Sequence, residues 1–265
     1  MAKKVFIGVG HGGKDPGAVA FGREEADLNL AIALKCRDEL VRHGVEVKMS
    51  RTKDENDTLQ EEIKECNAFA GPDDLAIDIH NNAGGGDGAE AYYYTGGGTS
   101  KVLAENVLAE IVKIGQNSRG AKPNVINGIK EYFGFIRETK AHAIIVECAF
   151  VDNKTDIKII DTAAEQAAMG VAVAKGILKT LNIAYVEEKV ESTSSLYRVQ
   201  IGAYSQKSNA DAMLKKVKAK GFDAFVTKVG NLYKVQVGAF SKRANAEAML
   251  DKVKKAGFDA FITTV

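Results

Sequence analysis

The chain has 265 residues, of which 45% are apolar and 27% are charged, and its formal net charge is +1 at pH 7. This composition is typical of a globular protein and excludes the disordered and collagen-like classes. No apolar run approaches the roughly 18 residues that a membrane span requires, so we expect no transmembrane segment. The length allows one domain of ordinary size and one small domain.

The start of the chain and the cysteines indicate the compartment in which the protein is made. The first ten residues, MAKKVFIGVG, lack the layout of a signal peptide, because the apolar stretch is short and glycines follow at once. We therefore expect synthesis in the cytoplasm without a classical export route. The three cysteines are odd in number and show no CxxC spacing, so we expect reduced, mostly buried thiols.

Strand and helix patterns alternate in the first two thirds of the chain. Three near-continuous apolar runs predict buried strands at Val5–Val9, Leu75–Ile79 and Ile144–Val146. Helical periodicity is found at residues 30–41, 59–70, 103–111 and 156–181. Apolar strands that alternate with helices predict an α/β domain with a twisted, mainly parallel sheet and helices on both faces. We place this domain at residues 1–183.

Each of the three apolar runs leads directly to an ionisable residue: His11, His80 and Glu147. Residues at the carboxyl ends of parallel strands converge on one edge of the sheet, where ligands bind. Imidazole and carboxylate groups bind zinc, and a catalytic zinc site needs three such ligands plus an open position. Glu25, at the start of a helical pattern, is the candidate third ligand. The simpler alternatives are structural hydrogen bonds for the histidines and compensation of the helix dipole for Glu25.

Three glycine-rich stretches invite a different interpretation. Gly8-x-Gly10-x-x-Gly13 formally matches the dinucleotide fingerprint, but Pro16 follows quickly and the acidic residue expected about 20 residues later is missing. We therefore reject a dinucleotide site. The runs at 83–88 and 95–99 lack the GK[ST] of a phosphate-binding loop. We expect both runs to be flexible loops near the cleft.

The last third of the chain contains an internal repeat. Residues 197–229 align without gaps to residues 233–265 and are identical at 21 of 33 positions, which indicates a duplication. Each copy has the pattern strand, helix, strand. This predicts a small α+β domain of βαββαβ topology at 197–265, with both helices on one face of the sheet. Residues 184–196 are rich in Glu, Ser and Thr and are the predicted linker.

Charge is divided unequally between the two parts of the chain. Residues 197–265 contain 13 Lys and Arg against 5 Asp and Glu, whereas residues 1–196 contain 23 against 30. We therefore expect the basic part to meet a polyanionic surface. Charge alone leaves nucleic acid, anionic lipid and the cell wall open as partners.

The phrases around the candidate ligands are similar to those of an enzyme family. GHGGKDPGA, an acidic residue before a leucine-rich helix, a strand ending in IHNNA, and VECAFVDNKTD resemble the zinc-dependent N-acetylmuramoyl-L-alanine amidases of the Amidase_3 type. The resemblance covers about residues 4–181. It implies that His11, Glu25 and His80 bind zinc and that Glu147 is the catalytic glutamate. The leucines that follow favour Glu25 over Glu24.

The resemblance also implies a reaction. Zinc would polarise an amide carbonyl and lower the pKa of its bound water from about 15.7 toward roughly 7. Glu147 would take a proton from that water and pass it to the leaving amine. The bond cleaved would join the lactyl group of N-acetylmuramic acid to L-alanine in peptidoglycan.

The repeated phrases YRVQIGAYS and YKVQVGAFS resemble the sporulation-related repeat, or SPOR, domain. This resemblance implies binding to peptidoglycan, notably to glycan strands stripped of their peptides. The alternative is RNA binding, because KGFDAFVT nearly matches an RNA-binding signature. Asp223 interrupts that signature and its final aromatic residue is missing. We therefore expect no nucleic-acid partner.

Alternation along the strands predicts a glycan-binding surface on the C-terminal domain. If the apolar residues of YRVQI face the helices, Gln200 and Gln236 point to the open face of the sheet. Phe225 and Phe261 share that register. Amide and aromatic groups suit sugars, because they bind hydroxyl groups and ring faces. The alternative is that both phenylalanines belong to the core.

These observations together predict a peptidoglycan amidase that acts at the cell wall after release from the cytoplasm, as a phage endolysin does. Two alternatives stay open. One is a bacterial sporulation or autolytic amidase, and the other is a wall-binding protein with an inactive catalytic domain. The intact set of His11, His80 and Glu147 argues against the inactive protein.

Overall fold

The computed structural model describes residues 4–187, 196–240 and 243–264. The chain divides into two compact units, Met1–Val186 and Glu187–Val265. Most of the predicted linker, residues 188–195, lies outside the described residues. None of the helices in the described ranges combines the length and the apolar character that crossing a membrane requires.

The first unit is built from strands and helices that mostly alternate along the chain. Its strands are β1 (Lys4–Val9), β2 (Val19–Ala20), β3 (Arg23–Glu24), β4 (Glu46–Met49), β5 (Leu75–Asn82), β6 (Ala89–Tyr93), β7 (Ser118–Pro123), β8 (Val125–Ile126), β9 (Ile129–Lys130) and β10 (His142–Phe150). Its helices are α1 (Glu25–Arg42), α2 (Leu59–Phe69), α3 (Thr99–Lys113), α4 (Gly134–Glu138) and α5 (Ala163–Thr180), with a 3-10 turn at Asp156–Ile159.

Six of these strands form one sheet in the order β4-β1-β5-β10-β6-β7. β1 pairs in parallel with β4 and β5, β5 pairs in parallel with β10, and β6 pairs in parallel with β7. Only the β10–β6 pair within this sheet is antiparallel. The prediction of a mainly parallel sheet is therefore confirmed, and its exceptions are β6 and β7, which run opposite to the other four strands.

Helices cover both faces of this sheet, as predicted. One core cluster joins the sheet to α1, α3 and α5 through residues such as Ile32, Val107 and Val173. The other joins it to α2 and α4 through Ile63 and Phe135. Burying an aliphatic or aromatic side chain of this size contributes about 1.5–3 kcal/mol, so the two clusters hold the layers together.

The helices of the first unit begin in two different ways. Thr58 at the start of α2 forms a capping box with Glu61, and Thr162 at the start of α5 does the same with Glu165. A cap of this kind contributes about 1 kcal/mol. Helix α1 begins without a side-chain cap. The carboxylate of its first residue, Glu25, is instead turned toward the strand ends.

The cysteines agree with the expected reduced state. Cys36, Cys66 and Cys148 are free and fully buried. Burial raises the pKa of Cys66 to about 12, and it also raises the pKa of the other two thiols. All three thiols therefore serve as small apolar side chains of the core at neutral pH.

The second unit has the predicted βαββαβ topology. Its elements are β11 (Tyr197–Tyr204), α6 (Lys207–Ala219), β12 (Ala224–Val229), β13 (Leu232–Phe240), α7 (Arg243–Lys255) and β14 (Phe261–Thr264). The strands pair antiparallel in the order β12-β13-β11-β14. One core cluster contains Val217 of α6, Val253 of α7 and Val199 of the sheet, so both helices pack on the same face.

Candidate active site

Three side chains predicted as ligands meet in the first unit. One ligand atom from each of His11, Glu25 and His80 lies within 4.8 Å of the others. Nε2 of His11 is 3.2 Å from Oε2 of Glu25, and Nδ1 of His80 is 3.1 Å from Oε1. Glu24 is exposed and belongs to β3, so the backbone brings Glu25 rather than Glu24 to the histidines.

His11 lies in the loop that follows β1. Its backbone φ is +63°, a left-handed conformation that costs a non-glycine residue about 1–3 kcal/mol. Its Nδ1 is 2.8 Å from Oδ2 of Asp15, which leaves Nε2 to face Glu25. The hydrogen bond with Glu25 raises the pKa of His11, although burial acts in the opposite direction. The strained backbone thus aims one defined nitrogen of the ring at the cluster.

Glu25 is the buried centre of this cluster. Its carboxylate accepts hydrogen bonds from the backbone N–H groups of Ala18 at 3.0 Å and Asn81 at 3.1 Å. Burial alone would raise the pKa of Glu25, but the contacts with His11 and His80 outweigh it and hold the pKa well below its ordinary value. Glu25 is therefore ionised at neutral pH, which is the state that a metal ligand needs.

His80 occupies the third corner of the cluster. Its Nε2 is 3.1 Å from Oδ2 of Asp78, on the side of the ring away from Glu25. Burial lowers the pKa of His80, but Asp78 and Glu25 raise it more, and the net shift is well upward. Each histidine therefore has one nitrogen on Glu25 and the other on a second carboxylate, an arrangement typical of metal-binding imidazoles.

Gly10 allows His80 to reach this position. A Cβ atom on Gly10 would lie 2.1 Å from Cε1 of His80, a distance that no real contact permits. The space above the end of β1 is thus filled by the imidazole of the neighbouring strand. Gly10, the second glycine of the pattern that formally matched a dinucleotide fingerprint, is therefore explained by packing against His80.

Glu147 lies beside His80 on the adjacent strand. The two residues are paired in the parallel register of β5 and β10. Oε2 of Glu147 is buried and has no hydrogen-bond partner among the described residues. Burial raises the pKa of Glu147 to about 7, while the neighbouring His80 lowers it. Glu147 is therefore a carboxyl group that can gain or lose a proton near neutral pH.

The strand ends differ from those predicted. His80 lies two residues before the end of β5, and β10 continues three residues past Glu147 to Phe150. Both strands are therefore longer than the apolar runs that predicted them, because the hydrogen-bonded ladder continues into polar residues. The register of β10 with β5 shifts between Glu147 and Phe150. This irregularity falls directly at the site.

A pocket opens onto Glu147 and His80. Apolar and aromatic groups form most of its wall, with the residues Leu59, Asp78, His80, Phe133, Gly134, Phe135, Ile145 and Glu147. An apolar wall with a few ionisable groups is typical of a site that orients a substrate and excludes water.

Arg51 supports the site, although no sequence pattern singled it out. Arg51 is buried and donates hydrogen bonds to the backbone carbonyl groups of Val9, Gly10, Lys53 and Ala26, which ties the end of β1 to the start of α1. Burial lowers the pKa of Arg51. The carbonyl groups that accept these hydrogen bonds belong to three separate segments of the chain, so no local sequence pattern could reveal the role of Arg51.

Glu62 of α2 is a second buried carboxyl group near the site. Oε1 of Glu62 and Oδ1 of Asp78 both approach the position that a Cβ atom of Gly8 would occupy. Burial raises the pKa of Glu62 well above its ordinary value, and the nearby Asp78 adds to the shift. Burial and the nearby carboxylate therefore favour the protonated form of Glu62, which reduces the negative charge behind His80.

The two glycine runs lie in different places. Residues 83–88 follow β5 at the site end of the sheet, where the N–H groups of Gly84 and Gly85 donate to Asp152 at 2.8 Å. Residues 95–99 instead border a separate pocket with His142, the first residue of β10. The prediction that 95–99 lies near the cleft is wrong. β6 runs antiparallel to β10, so the loop after β6 emerges at the opposite end.

The four candidate glycan-binding residues form one row across the second sheet. Phe225 pairs with Gln236, Gln236 with Gln200, and Gln200 with Phe261. Phe225 is 40% exposed and Phe261 is 53% exposed, so neither belongs to the core. Gln200 and Gln236 are only 5% and 1% exposed, because they lie between the phenylalanines. The expectation of openly accessible glutamines is therefore corrected.

Comparison with known proteins gives a family for each unit. Residues 5–179 match the Amidase_3 family, described as N-acetylmuramoyl-L-alanine amidase. Residues 193–264 match the SPOR domain. The first match alone spans more than half of the chain.

The relatives of the chain include two bacterial amidases and a phage endolysin. N-acetylmuramoyl-L-alanine amidase CwlM of Bacillus licheniformis is 37% identical over 227 residues, which cover 84% of this chain and 84% of the relative. The sporulation-specific N-acetylmuramoyl-L-alanine amidase of Bacillus subtilis strain 168 is 35% identical, again covering 84% of each chain. The endolysin of Bacillus phage SPP1 is 34% identical over 194 residues, which cover 69% of this chain and 68% of the relative.

A solved structure shares the fold of the first unit. N-acetylmuramoyl-L-alanine amidase AmiC2 of Nostoc punctiforme superposes with a TM-score of 0.61 and 29% identity, covering 68% of this chain and 97% of that one. The related sequences, the similar structure and the family match all indicate the same enzyme family. The chain therefore belongs to the Amidase_3 family of N-acetylmuramoyl-L-alanine amidases and carries a C-terminal SPOR domain.

Proposed function

We propose that this amidase binds zinc through His11, Glu25 and His80 and uses Glu147 to transfer protons. The observation that carries the proposal is the meeting of three ligand atoms within 4.8 Å beside a buried carboxyl group. Peptidoglycan hydrolysis itself follows from the family and from the relatives. The metal and the role of each residue are the proposed part.

The donor set fits zinc. Two imidazole nitrogens and one carboxylate oxygen make up a three-ligand set used by zinc hydrolases, which leave the fourth position open. Glu25 is ionised, and the nitrogens that face it are held in place by Asp15 and Asp78 behind the rings. A zinc ion held there supplies Lewis acidity, which polarises an amide carbonyl and makes a water more acidic.

Glu147 is placed to move the proton in this reaction. The carboxylate accepts a proton from the attacking water, and the protonated form then gives it to the amide nitrogen. The amide C–N bond breaks, the carbonyl carbon gains the hydroxyl, and the peptide leaves with a free amine. A pKa raised to about 7 suits a group that must both accept and donate near neutral pH.

Product analysis tests this proposal. Purified protein added to bacterial cell walls is expected to release peptides with free L-alanine amino termini, and to create no new reducing sugar ends. EDTA is expected to stop the release, and zinc is expected to restore it. New reducing ends would indicate a glycosidase, and hydrolysis that survives chelation would contradict the zinc mechanism.

We propose that the SPOR unit attaches the enzyme to glycan strands that have lost their peptides. Support comes from the row of Phe225, Gln236, Gln200 and Phe261. The side-chain oxygens of both glutamines are buried without partners among the described residues. Each can accept a hydrogen bond from a sugar hydroxyl once the neighbouring phenylalanine rings move aside. The exposed rings on either side can cover apolar sugar faces.

Binding to two wall preparations tests this attachment. Walls stripped of peptides by an amidase are expected to bind the protein more tightly than intact walls. Gln236→Ala and Phe261→Ala are expected to weaken that binding, whereas Val229→Ala, at an exposed position outside the row, is the control. Equal binding of all variants, or a preference for intact walls, would exclude the row as the contact surface.

For the biological setting, we propose lysis of a cell from within by an endolysin that reaches the wall after release. The phage endolysin among the relatives supports this setting. A sporulation amidase is the second candidate, because the bacterial relatives match 84% of the chain and the phage relative 69%. Transcript timing distinguishes them. Expression only after prophage induction supports the endolysin, and expression only during sporulation overturns it.

A further inference from the structure

A pair of cations lies close to the catalytic centre and has no part in the proposed zinc site. Arg119 and Lys122 are both on β7, and both contact the carboxylate of Glu90 on β6. We propose that Arg119 and Lys122 form a subsite for a carboxylate of the peptide stem, next to the amide bond that is cleaved. This inference rests on the amidase activity of the chain.

The strand register connects this pair to the catalytic centre. Glu90 is paired with Glu147 across the β6–β10 ladder, and Glu147 is paired with His80 across the β10–β5 ladder. Residues paired in this way project from the same face of a sheet. The same row continues from Glu90 to Gly120 of β7, between the two cations. The cations therefore border the catalytic face.

The distances suit a short peptide. Neighbouring strands are about 4.8 Å apart, so β7 lies roughly 10 Å from the strand of Glu147. An extended peptide advances about 3.3–3.6 Å per residue. A carboxylate carried by the second residue of the stem can therefore reach the side chains of β7 while the scissile amide lies at Glu147.

The charges in this cluster do not balance. Glu90 is buried, and among the described residues it is the only carboxylate within ion-pair distance of Arg119 or Lys122. Two cations thus share one anion, and the three groups carry a net charge of +1. One cation would be enough to neutralise Glu90, so the second leaves capacity for a further anion.

Both cations are held in place and are still open to a ligand. The side chain of Arg119 is 39% exposed and that of Lys122 is 35% exposed. The Arg119 guanidinium lies 5.1 Å from the centre of the Phe150 ring, and the Lys122 ammonium lies 5.9 Å from that of Tyr92. Such preorganisation reduces the entropy that binding must overcome.

Hydrogen bonds hold the Glu90 carboxylate, which in turn positions the two cations of the subsite. Arg119 reaches Oε2 of Glu90 through Nε at 2.7 Å, which leaves its other N–H groups for a ligand. Oε1 accepts hydrogen bonds from Asn82 and from the Tyr92 hydroxyl, both at 3.0 Å. Asn82 lies two residues after His80 on β5, so the same strand carries the candidate metal ligand and the support of the subsite.

A matched pair of soluble substrates tests the subsite. One is a muramoyl-L-alanyl-D-glutamyl peptide with free stem carboxylates, and the other is the same compound with those groups as amides. Charge-assisted hydrogen bonds contribute about 1.5–3 kcal/mol, so the full chain is expected to prefer the carboxylate form by roughly 10- to 100-fold in kcat/KM. Arg119→Met and Lys122→Met are expected to lose most of this preference, mainly through a higher KM.

The amide substrate and a control variant separate binding from structure. Both variants are expected to lose far less activity on the amide form than on the carboxylate form, and Lys101→Met on α3 is expected to behave as the wild type on both substrates. Equal losses on the two substrates would show that the cations only support the fold, and would overturn the subsite. A wild type that cleaves neither substrate would instead contradict the amidase activity.

A measurement on the unmodified protein covers the case in which the variants do not fold. The preference of the wild type for the carboxylate substrate is expected to shrink as sodium chloride is raised, because salt screens the attraction between partly exposed charges. Absence of any preference at low salt, or a preference that salt leaves unchanged, would overturn the subsite.

Discussion

Oδ2 of Asp78 lies 3.1 Å from Nε2 of His80, on the side of the ring opposite the contact with Glu25. A carboxylate behind an imidazole fixes the orientation and the tautomer of the ring and makes the other nitrogen a better ligand. Asp15 has the same relationship to His11, at 2.8 Å. Both candidate histidine ligands are thus oriented by an acidic residue that does not itself face the cluster.

Asp78→Asn is expected to lower the affinity for zinc by about 10- to 100-fold, because the amide no longer supports the charge and tautomer of His80. Competition with a fluorescent chelator measures this affinity directly, without reference to catalysis. Asp73→Asn, on the same loop–strand segment but exposed, is the matched control. An unchanged affinity in Asp78→Asn would show that His80 does not depend on this carboxylate.

Gly10→Ala is expected to reduce zinc binding by at least about tenfold, because the new methyl group would displace His80 from above β1. Gly71→Ala is the control, since a Cβ atom there meets only Asp74 at 3.7 Å, an ordinary contact. Metal content after dialysis gives the comparison. Full zinc occupancy in Gly10→Ala would mean that His80 is not held where the structure has it.

Glu147→Ala is expected to keep its zinc and to lose at least about two orders of magnitude in the rate of amide hydrolysis. The loss reflects the missing proton acceptor rather than a missing ligand. Turnover on a soluble muramoyl peptide and metal content are measured on the same sample. Glu105→Ala, at an exposed position on α3, is the control. Normal turnover by Glu147→Ala would refute the assignment.

Glu39→Gln tests a prediction about stability and pH away from the site. Burial would raise the pKa of Glu39, but contacts with Lys35, Arg42 and Tyr185 lower it from 4.5 to about 2. A lowered pKa in the folded state stabilises the protein above the unfolded pKa, and this stability is lost as the pH falls toward about 2. The contribution at neutral pH is roughly 2–3 kcal/mol.

Urea unfolding at two pH values measures this contribution. At pH 7, Glu39→Gln is expected to be less stable than the wild type by that amount, and the difference is expected to shrink by at least half near pH 3. Glu46→Gln, at an exposed position on β4, is expected to leave the stability unchanged. A difference that is the same at both pH values would show that the charge of Glu39 is not its source.

Only part of the fold could be predicted from local sequence. β1, β5 and β10 each contain a near-continuous apolar run because helices cover both of their faces. β6 and β7 lack that pattern. Glu90, the second residue of β6, is buried, and its charge is compensated by Arg119 and Lys122 from another strand. Contacts between distant segments of this kind leave no periodic signal.

The same limit applies to the candidate site. Ligand-type residues after predicted strands, together with a family resemblance, were enough to select His11, Glu25 and His80, which the fold brings together. The contact of Asp78 with His80 and the close approach at Gly10 depend on distances of a few ångströms. In the SPOR unit, the alternation of apolar and polar residues predicted that Gln200 and Gln236 share a face of the sheet, but it did not predict that both are buried.

The metal site is tested most directly by anomalous X-ray diffraction at the zinc absorption edge, from crystals of this chain grown with zinc. We expect one strong peak within bonding distance of Nε2 of His11, a carboxylate oxygen of Glu25 and Nδ1 of His80, with Glu147 beside it. Absence of a peak at this position, or a peak on other residues only, would contradict the proposed metal site.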